Sequence, residues 1–368
     1  MRIKSRLLKQ LDQQIAAAQQ PVLAACLKAK RAMLLARHGA LAEAREQLTV
    51  LHQLAFQHPH PEIGAWLHFA EGLMSYYTDF SSSTREKILR ALAIAQTAGL
   101  TEVAVLAHAW LAQLAYVRHE LPDLLEHLRQ CFSQASPDHH VARARACMSL
   151  GLAWHFCGES GLAQQWYARA RAHAQADGDD AMISALLYNS AEMRTADARR
   201  RMLASLSVQP GGMPELLLGV DSVSNFDAAV HSLALPDLAP MLRAQVLVLQ
   251  GAFQEAMGLY EEHLPLAMSR GLARLGSSLL ADLAWCRVNC GQTERARQQA
   301  LEAEIELDPA CDVDDRAATH SRLAQVFAAL DDQASAARHA ALAASGWAAF
   351  ASQQADWLAQ LRAAQLNE

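Results

Sequence analysis

Cys286 and Cys290 stand four residues apart, which puts both thiols on one helix face at a spacing that suits a metal ion or a redox pair. Tetrahedral zinc needs two further ligands, and none follows at a recognised spacing. Both therefore read as buried structural thiols. The sixteen histidines include two close pairs, His58 with His60 around Pro59, and His139 with His140. Without a carboxylate or cysteine frame they read as exposed loop residues. Glu304, Glu306, Asp312, Asp314 and Asp315 form an acidic stretch around Pro309. It lacks the glycine and spacing of a calcium loop, so it reads as solvated charge with helix capping at Asp314 and Asp315. His155 and Glu192 fall on the same expected helix face, where an imidazole and a carboxylate would make an acid–base pair. Nothing nearby marks a nucleophile, an oxyanion hole or a cofactor. No phosphate-cradling glycine loop, HExxH, GxSxG or paired CxxC occurs. The expectation is a protein that is not an enzyme, with no cofactor and no metal.

The composition sets the frame for these residues. At 368 residues the chain is too long for one ordinary core and implies two domains or a repeat array. Hydrophobic residues make up 52% and charged residues 19%, which excludes a disordered chain. The net charge of −6, with no basic face, argues against nucleic acid as partner. The clusters Arg2, Lys4, Arg6, Lys9 and Arg194, Arg199, Arg200, Arg201 read as solvated helix faces. No apolar run reaches the ~18 residues of a membrane span, and the basic start has no apolar region behind it. Seven cysteines, an odd number without small-domain spacing, point to reduced thiols and a cytoplasmic protein. The scarcity of lysine beside arginine is a bias of GC-rich bacterial coding.

The elements that must position any site repeat along the chain. Residues 141–180 read as a helix, a turn at Gly158-Glu159-Ser160, a second helix, and a break at Asp177-Gly178-Asp179-Asp180. A small residue in mid-helix lets the two helices approach, and glycine makes the turn. The small residues Ala32, Gly72, Ala112, Gly151, Ala191, Ala244, Ala284 and Ala324 follow one another at separations of 40, 40, 39, 40, 53, 40 and 40 residues. A period of this length is the mark of stacked helix pairs.

Within residues 141–180, Leu150-Gly151, Trp154, Gly158, Ala163, Tyr167 and Ala170 resemble the tetratricopeptide signature. The forty-residue length is similar to the longer repeats of MalT-like sensor regions in bacterial transcription activators. The resemblance implies an all-α, right-handed superhelical solenoid of antiparallel helix pairs, about eight repeats with capping helices. The interval of 53 residues divides it into an N-terminal array over 1–206 and a C-terminal array over 236–368. An irregular loop and an extra helix, from about Glu215, occupy 207–235. The second helix of the fifth repeat, TADARRRMLASL, does not match the template. Residues 3–19 and 346–366 read as the capping helices.

On such scaffolds the first helix of each pair lines the concave face. The inward positions are Trp66, Phe69, Tyr76, Tyr77, Tyr116, Met148, His155, Tyr188, Asn189, Glu192, Gln245 and Trp285. Tyrosine offers apolar area with a hydroxyl at small entropic cost, so an aromatic-lined groove suits a protein or peptide segment as partner. The MalT-like resemblance implies a sensory alternative, a ligand-responsive regulator signalling to a separate effector. Neither reading fixes the oligomeric state.

Overall fold

The computed structural model describes residues 3–79, 83–204, 213–233, 238–269, 273–309 and 311–368. Residues 207–212, the start of the expected irregular loop, lie outside them. Among the described residues there are seventeen helices and no strand. The fold is the expected all-α helical repeat, and no described helix is long and apolar enough to cross a membrane.

Two compact units emerge, one made of Met1–Leu187, Asn225–Ala234 and Trp357–Glu368, the other of Tyr188–Ser224 and Leu235–Asp356. The first begins with α1 (Arg6–Ala17) and continues through four pairs: α2 (Pro21–Arg37) with α3 (Leu41–Gln57), α4 (Pro61–Asp79) with α5 (Ser83–Ala98), α6 (Thr101–Val117) with α7 (Leu121–Gln134), and α8 (His140–Phe156) with α9 (Ser160–Asp177). The chain then runs into α10 (Asp180–Leu203) and α11 (Met213–Val230), each contributing residues to both units. The second unit holds α12 (Leu238–Gln250) with α13 (Phe253–Ala267), α14 (Ala273–Asn289) with α15 (Thr293–Ile305), and α16 (Val313–Ala329) with most of α17 (Gln333–Ala364).

The period has a visible backbone cause. The turn between paired helices passes through the left-handed region at Gly39, Gly158, Gly251 and Gly291, with φ between 76° and 81°. His119 and Asp331 take the same place at φ 56° and 62°, so the turn recurs even where the sequence has no glycine. α10 breaks the pattern. It runs unbroken for 24 residues, because Thr195 and its neighbours offer neither glycine nor proline to end it. The unmatched segment TADARRRMLASL is thus the continuation of the first helix and not a partner helix as far as Leu203. Residues 346–364 likewise continue α17, whose Trp357 ring lies 4.6 Å from that of Phe156 in the first unit.

Small residues set the helix contacts. A Cβ on Gly151 would stand 2.7 Å from the Tyr167 ring, and one on Gly72 2.9 Å from Ile88. The first helices are consequently enclosed, and every residue of α6 from Val103 to Ala115 is buried. Gly151→Ala gains about 1 kcal/mol of helix propensity but overpacks the Tyr167 contact by about 1–3 kcal/mol. A net loss of about 1 kcal/mol is expected, read as a lowered urea midpoint with an unchanged slope.

Candidate functional site

In the first unit, a cavity of about 270 Å³ opens between α1 and the inner faces of α2, α4, α6 and α8. Its apolar walls include Trp66, Phe69, Leu73 and Trp110, and its polar margin includes Lys30, Arg37, Glu102, His139 and Asp177. α1 supplies Leu7, Gln10, Leu11 and Gln14, one helical face. α1 is held there by Arg31, which binds Asp12 at 2.7 Å, and by Arg6, which donates to the Gln175 carbonyl at 2.9 Å. An amphipathic helix with Leu8 and Leu11 buried thus lies along the inner helices.

Two arginines dominate the electrostatics. Arg37 grips Asp179 with both terminal nitrogens, at 2.8 and 2.9 Å, the bidentate geometry that a guanidinium and a carboxylate favour. Asp179 also accepts the Met182 amide at 2.9 Å, which ties the start of α10 to this ion pair. Arg145 is only 5% exposed, and its guanidinium lies 4.0 Å over the Trp110 ring. No carboxylate pairs with it among the described residues. Burial, and after it the neighbouring Arg37 cation, hold its pKa below the usual arginine value. Tyr76 and Tyr77 meet the same Trp110 ring edge-on at 5.5 and 6.1 Å. At the cavity margin, burial and the nearby Asp179 push the Asp177 carboxyl up, and its Oδ2 has no hydrogen-bond partner. His38, wholly buried beside Arg37, is pushed down to about 4 by desolvation and that cation, so it is neutral.

Of the twelve residues expected on the inner face, Trp66 and Phe69 line this cavity, and Tyr76 and Tyr77 stand behind its Trp110 wall. Tyr116 lies apart from it, with its ring 6.3 Å from Trp357. Met148 is buried, and His155, also buried, faces the Tyr167 hydroxyl at 3.4 Å. Tyr188, Asn189, Glu192, Gln245 and Trp285 belong to the second unit and are all partly buried. His155 and Glu192, the imagined acid–base pair, therefore fall in different units, each with its own surroundings.

The second unit has its own charged centre. Asp282 accepts from Arg322 Nε at 2.7 Å and from Arg199 Nε at 3.1 Å, all three side chains nearly inaccessible. The two guanidinium ions outweigh desolvation and hold the Asp282 carboxyl below its usual range. The buried Tyr260 hydroxyl, Ser278 Oγ and Arg322 Nη2 have no hydrogen-bond partner among the described residues. Trp285 lies 5.6 Å from the Arg322 guanidinium. Close by, Glu192 is pushed up to about 7 by burial and then by Asp314 and Asp197, and Asp315 is raised for the same kind of reason.

Sequence reasoning passed over Arg37, Arg145, Asp179, Asp282 and Arg322. A signal existed for the last pair: Asp282 and Arg322 are one forty-residue period apart, so opposite charges occupy one register in adjacent repeats. The acidic stretch is placed differently from expectation, since Asp314 and Asp315 lie in the first turn of α16 and Asp312 is the residue before it. There their charge meets the helix dipole. His58 and His60 are exposed as expected. His139 and His140 are half-buried: His139 lines the cavity, and His140 faces His173 across the α8–α9 pair. Cys286 is fully buried and Cys290 partly so, both free thiols.

No family model matches the sequence, and no curated protein matches it. Among solved structures the fold is similar to that of a Rap protein complexed with Competence and Sporulation Factor, at a TM-score of 0.58 and 9% sequence identity, covering 90% of this chain and 99% of that one. At that identity the likeness establishes a tetratricopeptide-like helical-repeat fold.

Proposed function

We propose that this chain is a non-catalytic binding protein that docks a protein or peptide segment on the inner helices of its first unit, with a carboxylate of that segment meeting Arg145. The observation that carries this reading is the buried Arg145 guanidinium, which lies on Trp110 with no carboxylate of its own. A buried cation with no carboxylate in direct contact is costly, and a ligand anion would offset that cost. The cavity walled by the same Trp110 is, at about 270 Å³, just below the ~300–1,000 Å³ of typical small-molecule pockets. It suits the end of a chain, one carboxylate with an apolar side chain against Trp66 and Phe69, better than a whole cofactor. The Rap protein of similar fold is complexed with a factor, which supports binding as the use of such a scaffold. The seven free thiols suit a reducing compartment such as the cytoplasm.

A sensory version rests on the same site. α1 forms one wall of the cavity, so an occupant acts directly on that helix, in keeping with the ligand-responsive regulator that the MalT-like resemblance implies. Short peptides with free or amidated C-termini, titrated by fluorescence anisotropy, provide the test. Free-acid peptides are expected to bind and amides to bind weakly. Arg145→Gln should lose about 10–100-fold in affinity, the worth of a charge-assisted hydrogen bond, with helicity unchanged. Equal binding by wild type and Arg145→Gln would overturn the assignment.

A further inference from the structure

We infer that Cys147, His173 and Glu368 form a binding site for a zinc-like divalent transition-metal ion, in the first unit and apart from the cavity described above. The three side chains come from α8, α9 and the segment after α17, and offer one ligand atom each, all within 4.8 Å of one another. Tetrahedral zinc takes thiolate, imidazole and carboxylate together, with water in a fourth, open position. Hard cations such as magnesium and calcium select all-oxygen sets, so the cysteine narrows the choice of metal.

The imidazole already points at the second ligand, and a metal ion would replace the direct hydrogen bond between them. His173 Nε2 faces the Glu368 carboxylate, and its Nδ1 lies 2.9 Å from His140 Nδ1. For Nε2 to hold a metal, His173 must carry its proton on Nδ1 and donate it to His140, whose own proton then sits on Nε2. This is the outer-shell hydrogen bond that metal-bound histidines ordinarily make. Arg143 Nη1 stands 3.6 Å from Glu368 Oε1. Cys147 is fully buried, which keeps its thiol protonated without a metal. Coordination forms the sulfur–metal bond, breaks the S–H bond and releases the proton to solvent.

The ion would fasten the segment after α17 to the α8–α9 pair. That segment already lies there, since Arg362 binds Glu159 at 2.6 Å and Leu361 and Asn367 share a cavity wall with Trp154 and Trp166.

The test is a titration of the full 368-residue chain, freed of metal by a chelator, with cobalt(II) and then zinc. One equivalent of cobalt should bind and give the thiolate-to-cobalt charge-transfer band and the intense visible bands of a tetrahedral ion. Zinc should displace both. Cys147→Ser should lose the charge-transfer band, and Glu368→Gln, at a partly exposed position that leaves the core intact, should weaken binding at least about tenfold, the smaller end of what is lost when even an outer-shell partner is removed. Absence of stoichiometric binding would overturn the site. So would a charge-transfer band that survives Cys147→Ser, or cobalt affinity unchanged in Glu368→Gln.

Discussion

Asp282→Ala is expected to destabilise the second unit by about 3–5 kcal/mol, the usual result of removing one partner from a buried ion pair. The substitution would leave Arg199 and Arg322, 7% and 1% exposed, facing each other without the carboxylate that now lies between them. Hydrophobic loss is the lesser effect here, because the deleted atoms are mostly polar. Urea unfolding followed by the fluorescence of Trp285 and Trp347, the second unit's tryptophans, measures the change. A fall below about 1 kcal/mol would mean that solvent reaches the triad. The same group makes a pH prediction. The folded-state pKa of Asp282 lies below its unfolded value, so its stabilisation is present above the ordinary carboxylate pKa of ~3.9 and fades as pH falls through the folded value. Wild type should lose this part of its stability in acid, and the Asp282→Ala protein should lack that component.

Glu192→Gln is expected to act in the opposite direction and stabilise the second unit by on the order of 2 kcal/mol above pH 7. Burial, then the carboxylates of Asp314 and Asp197, raise the Glu192 pKa from an ordinary 4.5 to about 7. The folded chain then binds more protons than the unfolded one between those values, and stability falls as pH rises through that window. Glutamine mimics the protonated acid and removes the penalty. The figure is discounted from the full shift because Glu192 is only partly enclosed. Asp315 is raised as well, by burial and then by Asp314 and Asp312, with Glu192 a smaller contributor. Thermal melts at pH 5 and pH 8 suffice: the variant should gain at pH 8 and differ little at pH 5. An equal effect at both values would show that Glu192 is ionised at pH 5 in the folded chain.

Much of the fold was legible in the residues. The spacing of Gly151, Gly158 and Tyr167 announces a close helix pair, and the contact of Gly151 with the Tyr167 ring is its physical content. The left-handed turn at Gly251 and Gly291 belongs to the same message. Less of the site was legible. Trp66 and Phe69 line the cavity, yet the period alone does not say that α1 lies over them. Tyr116 shares that face, but its neighbour Trp357 is 241 positions along the chain, beyond the reach of a forty-residue template.

Helix, turn and repeat were determined by the sequence itself, because each depends on residues within one forty-residue unit: apolar spacing at 3.6, a small residue at the crossing, and a turn residue that tolerates positive φ. The charges that would be buried were decided by tertiary structure alone. Arg37 meets Asp179 across 142 positions, and Arg199 meets Asp282 across 83. On its own helix each of these side chains would remain in water, as surface charge. Only the stacking of helices around them removes solvent, and with it the screening that would make such charges indifferent to their partners.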